Sequence, residues 1–156
     1  METQILNNLF LIKLEENKNN TSLLEKIAEK RDYGCLLIID EEEGLFHSFS
    51  VANKIYFNFK ETGNKTGNNE LLLPKLDKII NILIKYYRNQ SVIGIVDKQM
   101  SQVGETIANG FLMKVSELKI YEIIDFMKTK NGDLFYPFID YEKALREYQF
   151  SIIGHN

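Results

Sequence analysis

Residues 70–97 read ELLLPKLDKIINILIKYYRNQSVIGIVD, and this stretch predicts one amphipathic helix followed by one fully buried strand. Leu73, Leu76, Ile79, Ile80, Leu83, Ile84 and Tyr87 recur at the three- and four-residue steps that place side chains on one helical face. Lys75, Asp77, Lys78, Asn81, Lys85 and Arg88 fill the other side. Pro74 suits the first turn of such a helix, where its missing N–H has no intrahelical partner. Asn89, Gln90 and Ser91 break the pattern, and VIGIV is a short apolar run of the kind covered on both faces of a sheet. A helix feeding such a strand predicts an α/β (α+β) sandwich with a mixed, partly antiparallel sheet. It supplies no chemistry.

Working toward the N-terminus, three strand-like runs follow one another: Cys35 to Asp40, Leu45 to Val51 and Lys54 to Lys60. The short Ala52-Asn53 link predicts antiparallel pairing, hence a meander. In KIYFNFK, Ile55, Phe57 and Phe59 alternate with Tyr56, Asn58 and Lys60, which predicts a strand with one wet side. Before these runs, Ser22 and Glu25 form a capping box for a helix carrying Leu23, Leu24, Ile27 and Ala28, ended by Gly34. LFLIKL, Leu9 to Leu14, predicts another strand. Residues 61–69, ETGNKTGNN, have no apolar anchor and predict a mobile loop.

Toward the C-terminus, Lys98 to Gly110 predicts a short helix or a loop with one helical turn, interrupted by Gly104 and Gly110. Phe111 to Val115 fits either strand or helix. Ser116 to Lys130 predicts a helix with Ser116 as N-cap and Ile120, Ile123, Ile124 and Met127 inside. Leu134 to Phe138 predicts a short aromatic strand, and Asp140 the cap of a last helix with Ala144, Leu145 and Tyr148, before a frayed tail. All 156 residues fit one domain, with no internal repeat.

A net charge of −3 argues against general nucleic-acid binding or binding to an anionic membrane, both of which need a basic surface. No apolar run reaches the length of a membrane span, and the N-terminus lacks a secretory pattern, so a cytoplasmic location is expected. The single cysteine, Cys35 in CLLIID, reads as a small buried hydrophobe on a strand.

Chemical motifs are sparse. Leu36 to Glu43, LLIIDEEE, is an apolar strand ending in Asp40, Glu41, Glu42 and Glu43, the carboxylate pattern that hard cations favour; a solvated acidic turn is the plainer reading. Gly63 to Gly67 has glycines without the spacing of a P-loop. His47 and Ser48 are strand neighbours facing opposite ways, so they make no dyad. Ser116-Glu-Leu-Lys119 has serine-acyl-enzyme spacing without its companion motifs and reads as a helix cap. No zinc-type spacing occurs. No catalytic residue, metal site or cofactor is expected.

Two resemblances follow. The order helix, three strands, helix, strand from Ser22 to Asp97 is similar to the PD-(D/E)xK nuclease core. That family needs acids on its second and third strands, whereas this chain offers LFHSFSV and Asn58-Phe-Lys60. Further on, Ile93 to Val96, Val103-Gly104, Asn109-Gly-Phe-Leu112 and Phe138-Ile-Asp-Tyr-Glu-Lys-Ala-Leu145 resemble the closing half of STAS-type, anti-anti-sigma domains, which implies a protein-binding module. The family's phosphorylated Asp-Ser has no counterpart near Leu71.

The expected function is therefore a non-enzymatic, cytoplasmic protein-binding or regulatory module, STAS-like or of the bacterial immunity-protein or antitoxin kind, with a metal-dependent nuclease as the alternative. Its partner would be another protein, with a homodimer as a further option. Aromatic residues make up 12% of the chain, too many to be all interior. Strand alternation sets Tyr56 against Phe57 and Tyr136 against Phe135, so Tyr56 and Tyr136, with Asp40 and Glu41 to Glu43, are the interface candidates.

Overall fold

The computed structural model describes residues 1–15, 20–40 and 53–153, with 20–23 and 153 by backbone alone. In chain order these form β1 (Glu2–Leu6), β2 (Leu9–Leu14), α1 (Asn20–Lys30), β3 (Cys35–Asp40), β4 (Lys54–Asn58), α2 (Lys65–Arg88), β5 (Ile93–Lys98), α3 (Val103–Ser116), α4 (Ile120–Lys130) and α5 (Glu142–Ile153). They group into two compact units, Met1–Lys60 with Tyr86–Ser101, and Glu61–Lys85 with Gln102–Asn156.

The first unit holds a five-stranded sheet in the order β1-β2-β5-β3-β4. The predicted α/β class with a mixed, partly antiparallel sheet is borne out: β1 and β2 are antiparallel, and the remaining pairs are parallel. VIGIV lies where its composition demands, since β5 sits between β2 and β3 and is buried from Ile93 to Asp97. Phe10, Ile12, Leu14, Leu36, Ile38 and Val96 cluster with Leu24 of α1 and Tyr33 on one face of the sheet. Gly94 has no room for a side chain, because a Cβ there would stand 2.6 Å from Leu36 Cδ2 and 2.9 Å from Tyr33 Cε1. Glu2 anchors β1 by accepting from Arg31 Nη2 at 3.0 Å and from the Tyr33 hydroxyl at 2.7 Å.

The meander is a mistaken expectation. β3 pairs directly with β4, Ile38 opposite Tyr56, whereas a meander would set a strand between them. Alternation along a strand encodes its facing and not which strand lies beside it. The expected strand Leu45 to Val51 lies outside the described residues. So do the turn Glu41 to Glu43 and His47 with Ser48. α1 begins at Asn20, ahead of Ser22, so Ser22 is not its N-cap.

In the second unit the predicted helix inside 70–97 exists but starts earlier. Asn64 Oδ1 accepts from the Gly67 N–H at 3.1 Å, which is N-cap geometry, and Thr62 and Asn68 bond to each other, with Thr62 N–H donating to Asn68 Oδ1 at 2.7 Å. The polar run 61–69 is therefore a helix start, and Pro74 lies in the interior of α2 rather than in its first turn. Leu76, Ile79, Ile80, Leu83 and Ile84 are buried as predicted, while at the start of the face Leu72 is buried and Leu73 half-buried.

Residues 103–116 form one helix despite two glycines. Gly110 serves close packing, since a Cβ there would stand 2.6 Å from Ile80 Cδ1. Glu117, at φ 62°, ends α3, so Ser116 closes one helix rather than opening the next. Ile120, Ile123, Ile124 and Met127 are buried in α4 as predicted. The aromatic strand at Leu134 to Phe138 does not form: Phe135 has φ 59° and the Tyr136-Pro137 bond is cis. Side chains hold this segment instead. Glu105 accepts from the Phe135 N–H at 2.7 Å, Gln102 accepts from the Asp140 N–H at 2.9 Å, and Asn69 accepts from the Ala144 N–H at 2.9 Å. The first turn of α5 is thus served by Asn69 from α2, while Asp140 forms an ion pair with Lys65 at 3.7 Å.

Candidate functional site

In sheets whose strands run parallel, the carboxyl ends of the middle strands are where loops converge and ligands are bound. In the first unit those ends belong to β2, β5 and β3. β2 and β5 pair in register from Leu9↔Ile93 onward, so Lys13 faces Asp97. Strand alternation puts both on the face opposite Phe10, Ile12 and Val96. Lys13 and Asp97 are 3% and 2% exposed, and Lys13 Nζ lies 3.8 Å from Asp97 Oδ2. Charges this deep occur only when paired, because an unpaired one keeps its full desolvation penalty.

The pair also shapes the turn that follows β5. Lys13 Nζ donates to the Ser101 carbonyl. Asp97 Oδ1 accepts from the Lys98 N–H at 2.8 Å, the Gln99 N–H donates to the Leu14 carbonyl at 2.8 Å, and the Ser101 N–H donates to the Lys98 carbonyl at 3.1 Å. One carboxylate thus receives a backbone amide and sits beside a buried ammonium group, the two kinds of partner that an oxyanion seeks. Met100, at 84% exposure, marks the outer side of this turn.

Cys35 begins β3 opposite Ile93 and is completely buried. Burial pushes its thiol pKa up to about 12, far from the depressed values that make a nucleophilic thiolate. The structural reading of this residue is the right one.

Of the residues singled out in the sequence, Glu41 to Glu43 lie outside the described residues, and Asp40, Tyr56 and Tyr136 are placed as follows. Asp40 ends β3 on the face that carries Leu36 and Ile38, opposite to the face of Asp97, and is itself buried. Tyr56 lies beside Asp40, half-buried against the apolar cluster on that face. Burial first, and then the Asp40 charge, raise the Tyr56 phenol pKa. Tyr136, in the second unit, is 72% exposed, while Phe135 is buried. Among the described residues no group of three or more His, Cys, Asp or Glu side chains could hold a metal ion. No described helix is long and apolar enough to cross a membrane.

The second unit has a cleft of about 550 Å³ lined by Lys65, Tyr121, Asp125, Lys128, Phe138 and Glu142, among others. Tyr121 donates to Glu142 at 2.7 Å and accepts from Arg146 at 2.8 Å.

Sequence reasoning missed Lys13 and Asp97. The signal was a lone lysine in the otherwise apolar LFLIKL and a lone aspartate closing VIGIVD, since single charges in doubly covered strands must find each other.

No protein-family model matches this sequence, and no curated protein matches it. Solved structures do. Human DUSP28 superposes with a TM-score of 0.77 at 11% identity, covering 98% of this chain and 95% of the other. The PTP-2 phosphatase of Cydia pomonella gives 0.75 at 12% identity over 94% and 88%. The human tyrosine phosphatase-like serine/threonine/tyrosine-interacting protein gives 0.74 at 9% identity over 98% of each chain. At such identities the likeness is one of fold, the fold of dual-specificity and tyrosine phosphatases. It overturns the STAS resemblance and the nuclease alternative, and with them the binding-module function that rested on the STAS and immunity-protein analogies. The motifs quoted for STAS were short helix and strand signatures common to many α/β folds, and element order alone hid the direct pairing of β3 with β4.

Proposed function

We propose that this chain acts on phosphate monoesters, using the turn after β5 as the phosphate site. The observation that carries the reading is the superposition of 98% of the chain on human DUSP28. The buried Lys13 beside that turn supports it, because a desolvated ammonium is a strong partner for a phosphate oxygen. Attack by a cysteine thiolate is not the chemistry. The one sulfhydryl of the chain, Cys35, is sealed within the sheet and resists ionisation. The group acted on is the phosphate of a phosphorylated side chain on another protein. The phosphatase-like protein described as serine/threonine/tyrosine-interacting is a precedent for the fold in a protein named for interaction.

Thermal-shift and calorimetric titrations with phosphotyrosine, phosphoserine and inorganic phosphate test this. Phosphotyrosine should raise the melting temperature saturably, while tyrosine should not, since a ligand selective for the native state stabilises it. Iodoacetamide should leave both the binding and any release of p-nitrophenol from its phosphate ester unchanged. Indifference to every phosphate monoester would overturn the reading, and iodoacetamide-sensitive turnover would overturn its non-thiol chemistry.

A further inference from the structure

Asp97 is a buried carboxylate held by a cation and a backbone amide, the two kinds of partner that a phosphate oxygen also takes. Its side chain accepts from the N–H of Lys98, the last residue of β5, and lies beside a lysine that is 3% exposed. The same Lys13 donates to the Ser101 carbonyl, at the far side of the turn. Met100 in this turn is 84% exposed, while the Asp97 carboxylate just before it is 2% exposed.

We propose that Asp97 is an internal ligand: its carboxylate occupies the oxyanion position of the turn after β5, and an incoming phosphate must displace it to reach Lys13 and the Lys98 amide. The proposal rests on the phosphate-monoester reading above and adds a competitor to it. The carboxylate and a phosphate oxygen want the same donors, so each excludes the other. With Asp97 in place the turn is closed. When the carboxylate rotates out, the uncovered Lys13 charge and the Lys98 N–H are available to the phosphate, which replaces one anion by another and leaves the buried ammonium compensated throughout. Apparent affinity is then the intrinsic affinity reduced by the fraction of molecules in the open form.

The test is titration of the full chain and its variants with inorganic phosphate and with phosphotyrosine, by calorimetry and thermal shift. Asp97→Asn keeps the shape and removes the charge, and Asp97→Ala removes the competitor altogether. Both should bind phosphate about tenfold or more tighter than the unmodified chain, the factor expected where the open form is populated at about 10% or less. Lys13→Met should lose phosphate binding. Asp97 variants that bind no tighter than an unmodified chain that does bind would overturn the internal-ligand proposal and leave the phosphate reading standing. Absence of binding in the unmodified chain and in both Asp97 variants would overturn the phosphate reading itself. Should Asp97→Asn fail to fold alone, refolding in phosphate is compared with refolding in chloride at equal ionic strength: recovery in phosphate alone supports the proposal, and equal failure in both overturns it.

Discussion

The two units handle buried polarity differently. In the helical unit, Glu105, Gln102 and Asn69 direct their side chains to backbone amides and carbonyls of residues 135–144. That segment makes no strand and only the start of a helix, so its backbone groups need outside partners. In the sheet unit Lys13 and Asp97 pair across β2 and β5, with Lys13 donating to the Ser101 carbonyl of the turn after β5 and Asp97 accepting from the Lys98 N–H. Buried polarity in one unit builds irregular structure, whereas in the other it pairs two strand ends beside the turn that we propose as the phosphate site.

The most damaging way to probe it is Lys13→Met. It leaves the Asp97 carboxylate buried without its cation, and the cost should be about 3–5 kcal/mol, read from denaturant unfolding. Replacing both residues together by apolar ones of similar size should recover most of that loss. If the double variant remains as unstable as the single, the pair is holding the strands and the contrast between the units fails.

In the helical unit, Ile80→Ala should cost about 2–5 kcal/mol, because Ile80 is fully buried. Gly110→Ala tests the same contact from the other side. A methyl group 2.6 Å from Ile80 Cδ1 should cost about 1–3 kcal/mol, and the combination with Ile80→Ala should be less damaging than the sum of the two. Additive losses would mean that Gly110 is constrained by something other than Ile80.

Glu105→Ala removes the acceptor of the Phe135 N–H and should cost about 1–3 kcal/mol, with increased hydrogen exchange at that amide. Unchanged exchange would show that the segment holds its shape without its side-chain partners.

The smallest effect concerns acid. The hydrogen bond from Lys114 lowers the Asp77 pKa; burial opposes this, and the Tyr148 hydroxyl adds to the lowering. A carboxyl depressed in the folded state adds stability that is present above its unfolded pKa, near 4, and is lost as pH falls through the lower folded value. Asp77 is 60% exposed, so solvent screens the pair and the gain is small. The stability gap between the unmodified chain and Asp77→Asn should be present at neutral pH and close below about pH 4. A gap that widens in acid would reverse the assignment.

The legible parts of the fold were those governed by apolar periodicity. VIGIV announced the central strand because a run with no polar position has to be covered on both sides. Ile120, Ile123, Ile124 and Met127 announced α4 in the same way. What escaped was polar. Asn64, Asn68 and Asn69 looked like loop residues, yet one is a cap and the other two are buried acceptors, because asparagine serves turns and caps with the same amide. Strand order escaped as well, since alternation does not say which strand lies beside which. The candidate site was nearly invisible, because Lys13 and Asp97 are far apart in sequence and only the pairing of β2 with β5 sets them opposite each other.

The exposure of Met100 has an outcome for oxidative chemistry. In this chain the cysteine is enclosed in the sheet, while a thioether stands in the open on the turn after β5. Peroxide therefore meets methionine before it meets thiol. Damage begins as a sulfoxide, which methionine sulfoxide reductases reverse, and the sulfenic-to-sulfonic ladder of an exposed cysteine is not entered.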